Sequence, residues 1–211
     1  MIDYFKNHSK VGLFPWSVYH RPLEDSLLNF FKDHTVDPNK TYDVLIVGCG
    51  LLHELKRLPR NIKITICDID ARVLQKSESL SDPRIFHRVL IKDALQFGEL
   101  SDSSFDVIYG KEVIEHTSNP ELFLKSLNSK LKPDGVAWFS TPNYGEPWLP
   151  IIEFTFLEII AWFQGFSRWN LHPSKFSVKK INLLAQKLQL KNLKISVLPF
   201  RFSLCFSFSK V

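Results

Sequence analysis

No aspartate or glutamate follows Glu158 in this 211-residue chain. Nine basic residues do, from Arg168 to Lys210, so that stretch carries +9. The first 158 residues, with 18 basic and 22 acidic side chains, carry −4. The absence excludes ion pairing within the C-terminal stretch. Two readings remain: solvated lysines on the outer faces of a last helix and strand pair, or an anionic partner such as lipid headgroups, nucleic acid or a phosphorylated substrate. Cysteine is scarce. Cys49, Cys67 and Cys205 lie far apart in apolar runs, with no Cys-x-x-Cys pair. This excludes a disulfide framework and suits small buried side chains in a reduced compartment. No run reaches the ~18 uncharged apolar residues of a membrane-spanning helix. Met1–Lys6 lack the apolar core of a signal peptide, so a cytoplasmic protein is expected. Repeats and low-complexity segments are also missing.

What is present is a core. At 45% hydrophobic residues the chain can fill one α/β domain over 1–211. Asp43-Val-Leu-Ile-Val-Gly-Cys-Gly50 reads as a buried parallel strand running into a glycine turn, where backbone can approach a nucleotide closely. Ile62–Cys67 is a second apolar run that ends in Asp68, placed to bind a ribose diol. Asp93, after a third strand, is placed to accept from an adenine amine. Helix capping or a turn is the plain alternative for either carboxylate. The dinucleotide fingerprint wants a third glycine three residues after Gly50, and His53 stands there. That argues against nicotinamide or flavin, whose pyrophosphate needs close approach, and towards a phosphate-free cofactor such as S-adenosylmethionine.

Strands are expected at 43–48, 62–67, 84–91, 105–109 and 136–140, with helices near 50–58, 70–80, 120–131 and 175–190 and a turn at Lys132–Gly135. Leu193–Leu198 and Phe202–Phe208 form an antiparallel pair, because Pro199-Phe-Arg201 is too short for a parallel crossover. The expected fold is a doubly wound, mostly parallel seven-stranded α/β sheet with a C-terminal antiparallel hairpin. Residues 1–40, helical around Leu23–Phe31 and broken up by Pro15, Pro22 and Pro38, are expected to cap the cofactor site. Residues 147–172 form an apolar insert or lid. Glu153, Thr155, Glu158 and Gln164 are the only polar breaks between 147 and 164, so this segment calls for cover by core, substrate, partner or lipid.

Glu112, Glu115 and His116 follow the fourth strand, at the carboxyl edge where such sheets place ligands. Offsets of three and four would gather them on one helical turn. Two carboxylates and an imidazole suit Mg²⁺, Mn²⁺ or Zn²⁺, with His172 as a further ligand or a base. Such an ion would lower the pKa of an acceptor hydroxyl, and attack on a sulfonium methyl then needs mainly positioning. The plain alternative is an acid-rich helix N-terminus.

VLIVGCG, CDID, KDALQF, FDVIYGKEVIEH and LKPDGVAWFSTPN, in this order, resemble the class I S-adenosylmethionine-dependent methyltransferases across about residues 40–190. EVIEH, STPN and Leu171-His-Pro-Ser-Lys-Phe-Ser resemble the ubiquinone-biosynthesis O-methyltransferase group. The resemblance implies a Rossmann-like fold and cofactor contacts from Gly48, Gly50, Asp68, Asp93 and Lys111. It also implies a divalent metal at Glu112, Glu115 and His116, and membrane contact through the apolar segment. The expected activity is methyl transfer to a hydroxyl of a small, partly apolar acceptor at the membrane periphery. A small-RNA 3′-terminal ribose and a sugar or polysaccharide stay open as acceptors. Two departures, Ile46 in place of the family's acid and Leu51-Leu52 in place of a third glycine, keep a non-catalytic binding or scaffolding domain open as well.

Overall fold

Tyr42–Val47 (β1) is an interior strand of a sheet whose strands alternate their side chains between two cores. The structure, a computed structural model, describes residues 16–93, 95, 97–163 and 172–210. In chain order it runs α1 (Trp16–His34), β1, a 3₁₀ turn (His53–Arg57), β2 (Ile62–Asp68), α2 (Ala71–Glu78), β3 (Ile85–Leu90) and β4 (Phe105–Gly110). Then come a 3₁₀ turn (Ile114–His116), α3 (Pro120–Lys130), β5 (Leu131–Pro142) and a helical insert. The insert comprises α4 (Trp148–Ile152), a π-helical stretch (Glu153–Leu157) and α5 (Glu158–Phe163). The chain closes with α6 (Val178–Lys187), β6 (Lys191–Val197) and β7 (Ser203–Ser209).

The sheet has seven strands in the order β3-β2-β1-β4-β5-β7-β6. β1 pairs in parallel with β2 and β4, and β2 with β3 and β4 with β5 likewise. β7 is antiparallel to both β5 and β6. The doubly wound sheet and its closing antiparallel pair are as expected from the sequence. The order reverses between β1 and β4, which opens a crevice at their carboxyl ends. Val44 and Ile46 of β1 face a core shared with Leu23, Leu27, Phe31 and Tyr109. Leu45 and Val47 face the opposite core, with Phe123, Leu127, Phe139 and Ile181. The two-residue period of a strand thus puts α1 and α2 on one face and α3 and α6 on the other.

Four local expectations are corrected. The helix expected at 50–58 is only the 3₁₀ turn His53–Arg57, because Leu52 before it adopts a left-handed conformation (φ +52°) and Pro59 follows. α1 begins at Trp16 and runs through Pro22, which costs one backbone hydrogen bond without ending the helix. Strand three ends at Leu90 rather than Ile91. Lys132–Gly135, expected as a turn, bulges within β5: the register passes from Phe105↔Leu131 to Val107↔Val136, with Asp134 at φ +64°. Residues 1–15 of the expected cap and 164–171 of the expected insert lie outside the described residues. Among the described residues no helix is long and apolar enough to cross a membrane.

Candidate active site

The turn after β1 needs glycine. Gly48 has φ +64°, and a Cβ there would lie 2.7 Å from Val113 Cγ2. Its N–H donates to the Cys67 carbonyl at 2.9 Å, which ties the turn to the end of β2. Gly50 (φ +51°) donates to Asp68 Oδ2 at 3.4 Å, while Asp68 Oδ1 accepts from the Asp70 N–H at 3.0 Å. Burial pushes the Asp68 carboxyl above the usual aspartate value, and these backbone donors draw it part of the way back. Gly48, Gly50 and Asp68 are therefore brought together at one sheet edge. Leu52 completes the turn in a left-handed conformation that costs a non-glycine residue about 1–2 kcal/mol. Burial of its side chain offsets this.

Asp93 and Lys111 are engaged elsewhere. Asp93 is exposed and caps its own turn, accepting from the Leu95 N–H at 3.0 Å. The Lys111 ammonium lies 2.6 Å from Glu54 Oε2, and the Tyr109 hydroxyl donates to Glu54 Oε1 at 3.1 Å. Burial pushes the Glu54 carboxyl up, but Lys111 and Tyr109 outweigh it and the net is below the usual value. Glu54 went unnoticed in the sequence because His53-Glu54 reads as a polar, exposed pair. Its burial is a product of the 3₁₀ turn.

Beyond β4 the acids do not share one helical turn. Glu112 has φ +54° and precedes the 3₁₀ turn Ile114–His116, so the expected spacing argument fails there. Its carboxylate accepts from Tyr19 Oη at 2.5 Å and from Ser140 Oγ at 3.0 Å, and its N–H donates back to Ser140 Oγ. Glu115 is fully buried, and neither carboxylate oxygen has a hydrogen-bond partner among the described residues. Burial, and then the neighbouring Glu112 charge, push its carboxyl well above the usual glutamate value. Glu112 is raised too, by burial, with the Tyr19 and Ser140 hydroxyls acting against it.

The group that does converge is Glu115, His116 and His172, with one ligand atom from each within 4.8 Å of the others. His172 takes the place expected for Glu112. It is delivered by main-chain pairing: Ser174 N–H donates to the Glu115 carbonyl at 3.1 Å, and Tyr144 N–H to the Phe176 carbonyl at 2.7 Å. The imidazole rings of His116 and His172 meet edge to face at 4.9 Å. Behind His172 stand Tyr144 and Glu153, neither singled out as a site residue from the sequence. An acid inside an otherwise apolar run was the available signal for Glu153. Orphaned carboxylate oxygens beside two imidazoles fit a divalent cation by donor type. At Gly48 the place of a Cβ is already taken by the Val113 side chain, so glycine there lets the turn pack on the loop after β4, while the Asp68 carboxylate beside Gly50 fits a ribose diol as a hydrogen-bond acceptor.

Residues 45–137 match the family model of a methyltransferase domain. The ubiquinone biosynthesis O-methyltransferase of Idiomarina loihiensis is 32% identical over 121 residues, covering 55% of this chain and 48% of that protein. The mitochondrial enzyme of that description from Rattus norvegicus is 29% identical over 130 residues, covering 57% of this chain and 37% of that protein. The chain thus aligns with less than half of these relatives' length. The crystal structure of an S-adenosylmethionine-dependent methyltransferase from Aquifex aeolicus superposes with a TM-score of 0.65 at 15% identity, covering 100% of both chains. Residues 45–137 thus resemble a methyltransferase domain in sequence, and the sheet as a whole shares the fold of the Aquifex aeolicus S-adenosylmethionine-dependent methyltransferase.

Proposed function

We propose that this protein transfers a methyl group from S-adenosylmethionine to a hydroxyl of a small, partly apolar acceptor. The observation that carries the reading is the convergence of buried Glu115 with half-buried His172 and exposed His116, joined to the glycine turn through Val113, whose side chain packs against Gly48. The O-methyltransferase relatives support a hydroxyl acceptor. S-adenosylmethionine supplies a methyl carbon made electrophilic by its sulfonium.

Asp68 binds the ribose hydroxyls, and the Gly48–Gly50 backbone makes room for the methionine end. Tyr19, kept protonated by burial and by the Glu112 charge, holds Glu112 in place. His172 receives the acceptor proton, since a hydroxyl is a weak nucleophile until that proton leaves. A divalent ion (Mg²⁺, Mn²⁺ or Zn²⁺) would be held by Glu115 and His116 and would lower the acceptor's pKa; with the ion present, the His172 lone pair would complete the set instead of taking the proton. Exposed Trp148, Ile151, Ile159 and Trp162 on the insert support an apolar acceptor, and the acid-free +9 stretch supports work at an anionic surface.

Calorimetry with S-adenosylmethionine tests the first half. Binding by the wild-type chain, weakened at least about tenfold by Asp68→Ala, is expected, a loss of ~1.4 kcal/mol. No binding at millimolar cofactor rejects the reading. Methylation of a prenylated catechol tests the second half, and binding without turnover on hydroxyl acceptors would turn the proposal into a scaffolding role.

A further inference from the structure

His172 is held from behind by two side chains that the reaction above does not use. Its Nδ1 lies 2.5 Å from the Tyr144 hydroxyl and 3.2 Å from Glu153 Oε1. The Tyr144 hydroxyl in turn donates to Glu153 Oε2 at 2.5 Å. A phenol has one hydrogen to give. Given to Glu153, it is not available to the imidazole, so the contact between Tyr144 Oη and Nδ1 needs its hydrogen on Nδ1. That hydrogen is also within reach of Glu153 Oε1. The reverse arrangement, with the phenol donating to Nδ1, would set Nδ1 and Glu153 Oε1 facing each other as two acceptors. In a neutral ring the hydrogen on Nδ1 leaves the lone pair on Nε2. This is the opposite tautomer to the one an unconstrained histidine side chain favours.

Burial makes the arrangement rigid. Glu153 is 2% exposed and the His172 side chain 9%. A carboxylate taken so far out of water keeps its charge only where donors meet it. Three separate pieces of chain supply the parts: Tyr144 from the turn after β5, Glu153 from the π-helical stretch of the insert, and His172 from the approach to α6. The arrangement is that of a histidine whose far nitrogen is fixed by a carboxylate so that the near one can serve a site.

We propose that Glu153 and Tyr144 are positioning residues that hold the His172 ring with Nδ1 protonated and thereby present its Nε2 lone pair to the Glu115–His116 group. The inference deepens the methyltransferase reading and rests on it for the use of that lone pair. It holds whether Nε2 accepts a proton or ligates an ion. Because Glu153 belongs to the apolar insert, the seating of the insert and the readiness of His172 become one event.

The test is the protonation pattern of the ring, read in the full, tag-free chain labelled with ¹⁵N-histidine. Long-range proton–nitrogen correlation spectra separate the two tautomers, and the signal missing from His172→Gln identifies His172. The wild-type ring is expected as the Nδ1–H form. Glu153→Met and Tyr144→Phe are each expected to move it towards Nε2–H, while the other histidine signals stay in place and report an intact fold. Glu153→Gln is expected to retain the Nδ1–H form, since its amide oxygen still accepts. Methyl transfer by Glu153→Met should show kcat lowered about 10–100-fold with the KM for S-adenosylmethionine unchanged. A wild-type ring in the Nε2–H form, or a ring unmoved in both Glu153→Met and Tyr144→Phe, overturns the proposal. Failure of the wild-type chain to bind S-adenosylmethionine would instead sink the methyltransferase reading, and the spectra would still decide whether the clasp exists.

Discussion

Glu115 is buried with neither carboxylate oxygen hydrogen-bonded among the described residues. A buried polar group without a partner costs about 1–3 kcal/mol. Glu115→Met, similar in size and apolar, is therefore expected to raise the unfolding free energy by about that amount and to abolish methyl transfer. The pH dependence carries a definite sign. The folded chain holds the Glu115 proton to higher pH than the unfolded chain does. The associated stability is fully present below the ordinary glutamate value of about 4.3 and is lost as pH rises through the folded value. Urea midpoints measured from pH 4 upward should decline less steeply in Glu115→Met than in wild type. An equal slope in the two chains would show that Glu115 ionises normally. The sequence revealed Glu115, His116 and His172 as candidates through residue type, the position of the first two after the fourth strand, and family resemblance. It could not reveal that Glu112 turns away, because the left-handed kink at φ +54° and the approach of Tyr19 from α1 are tertiary facts.

At the scale of elements, the glycine turn ties the strand edge to the loop that bears the site. Gly48→Ala meets two separate penalties. The left-handed conformation costs a side chain about 1–2 kcal/mol, and the new Cβ would lie 2.7 Å from Val113 Cγ2. A thermodynamic cycle with Val113→Ala separates them: the clash is relieved in the double variant and the backbone strain is not. Gly48→Ala alone should also weaken S-adenosylmethionine binding, since Val113 immediately follows Glu112. Unchanged affinity would show the turn and the loop to be independent. The strands were legible because five of them are runs of apolar residues with turns between them. The helix at 50–58 was not, because its apolar spacing is right while one residue, Leu52, takes a backbone conformation that no helix accepts. Pro22 misled in the opposite direction: packing of Leu23, Leu27 and Phe31 against the sheet outweighs one missing hydrogen bond in α1.

Over the whole molecule, charge and apolar surface follow different parts of the chain. The insert shows Trp148 and Trp162 at 66% and 72% exposure, and the segment after Glu158 is basic throughout. If the acceptor is reached at a lipid surface, the chain should co-sediment with anionic vesicles and not with neutral ones, and Trp162→Glu should weaken this severalfold without lowering the melting temperature. Equal recovery with both vesicle types, or none with either, would remove the membrane from the proposal. The sequence displayed the apolar insert plainly, yet not its two-sidedness. Leu149 is buried, and Glu153 faces inward to meet His172 and Tyr144.

The position of β7 between β5 and β6 has a consequence for how the chain comes into being. β6 leaves the ribosome before β7, yet β7 is the strand it pairs with in the sheet. While synthesis proceeds, β6 must wait with its backbone unsatisfied and its lysines in water. The right-hand flank of the sheet then locks in a single late step. A nascent chain arrested short of Ser203 should therefore be open to proteases from Lys191 onward, while its β1–β5 half is already closed to them.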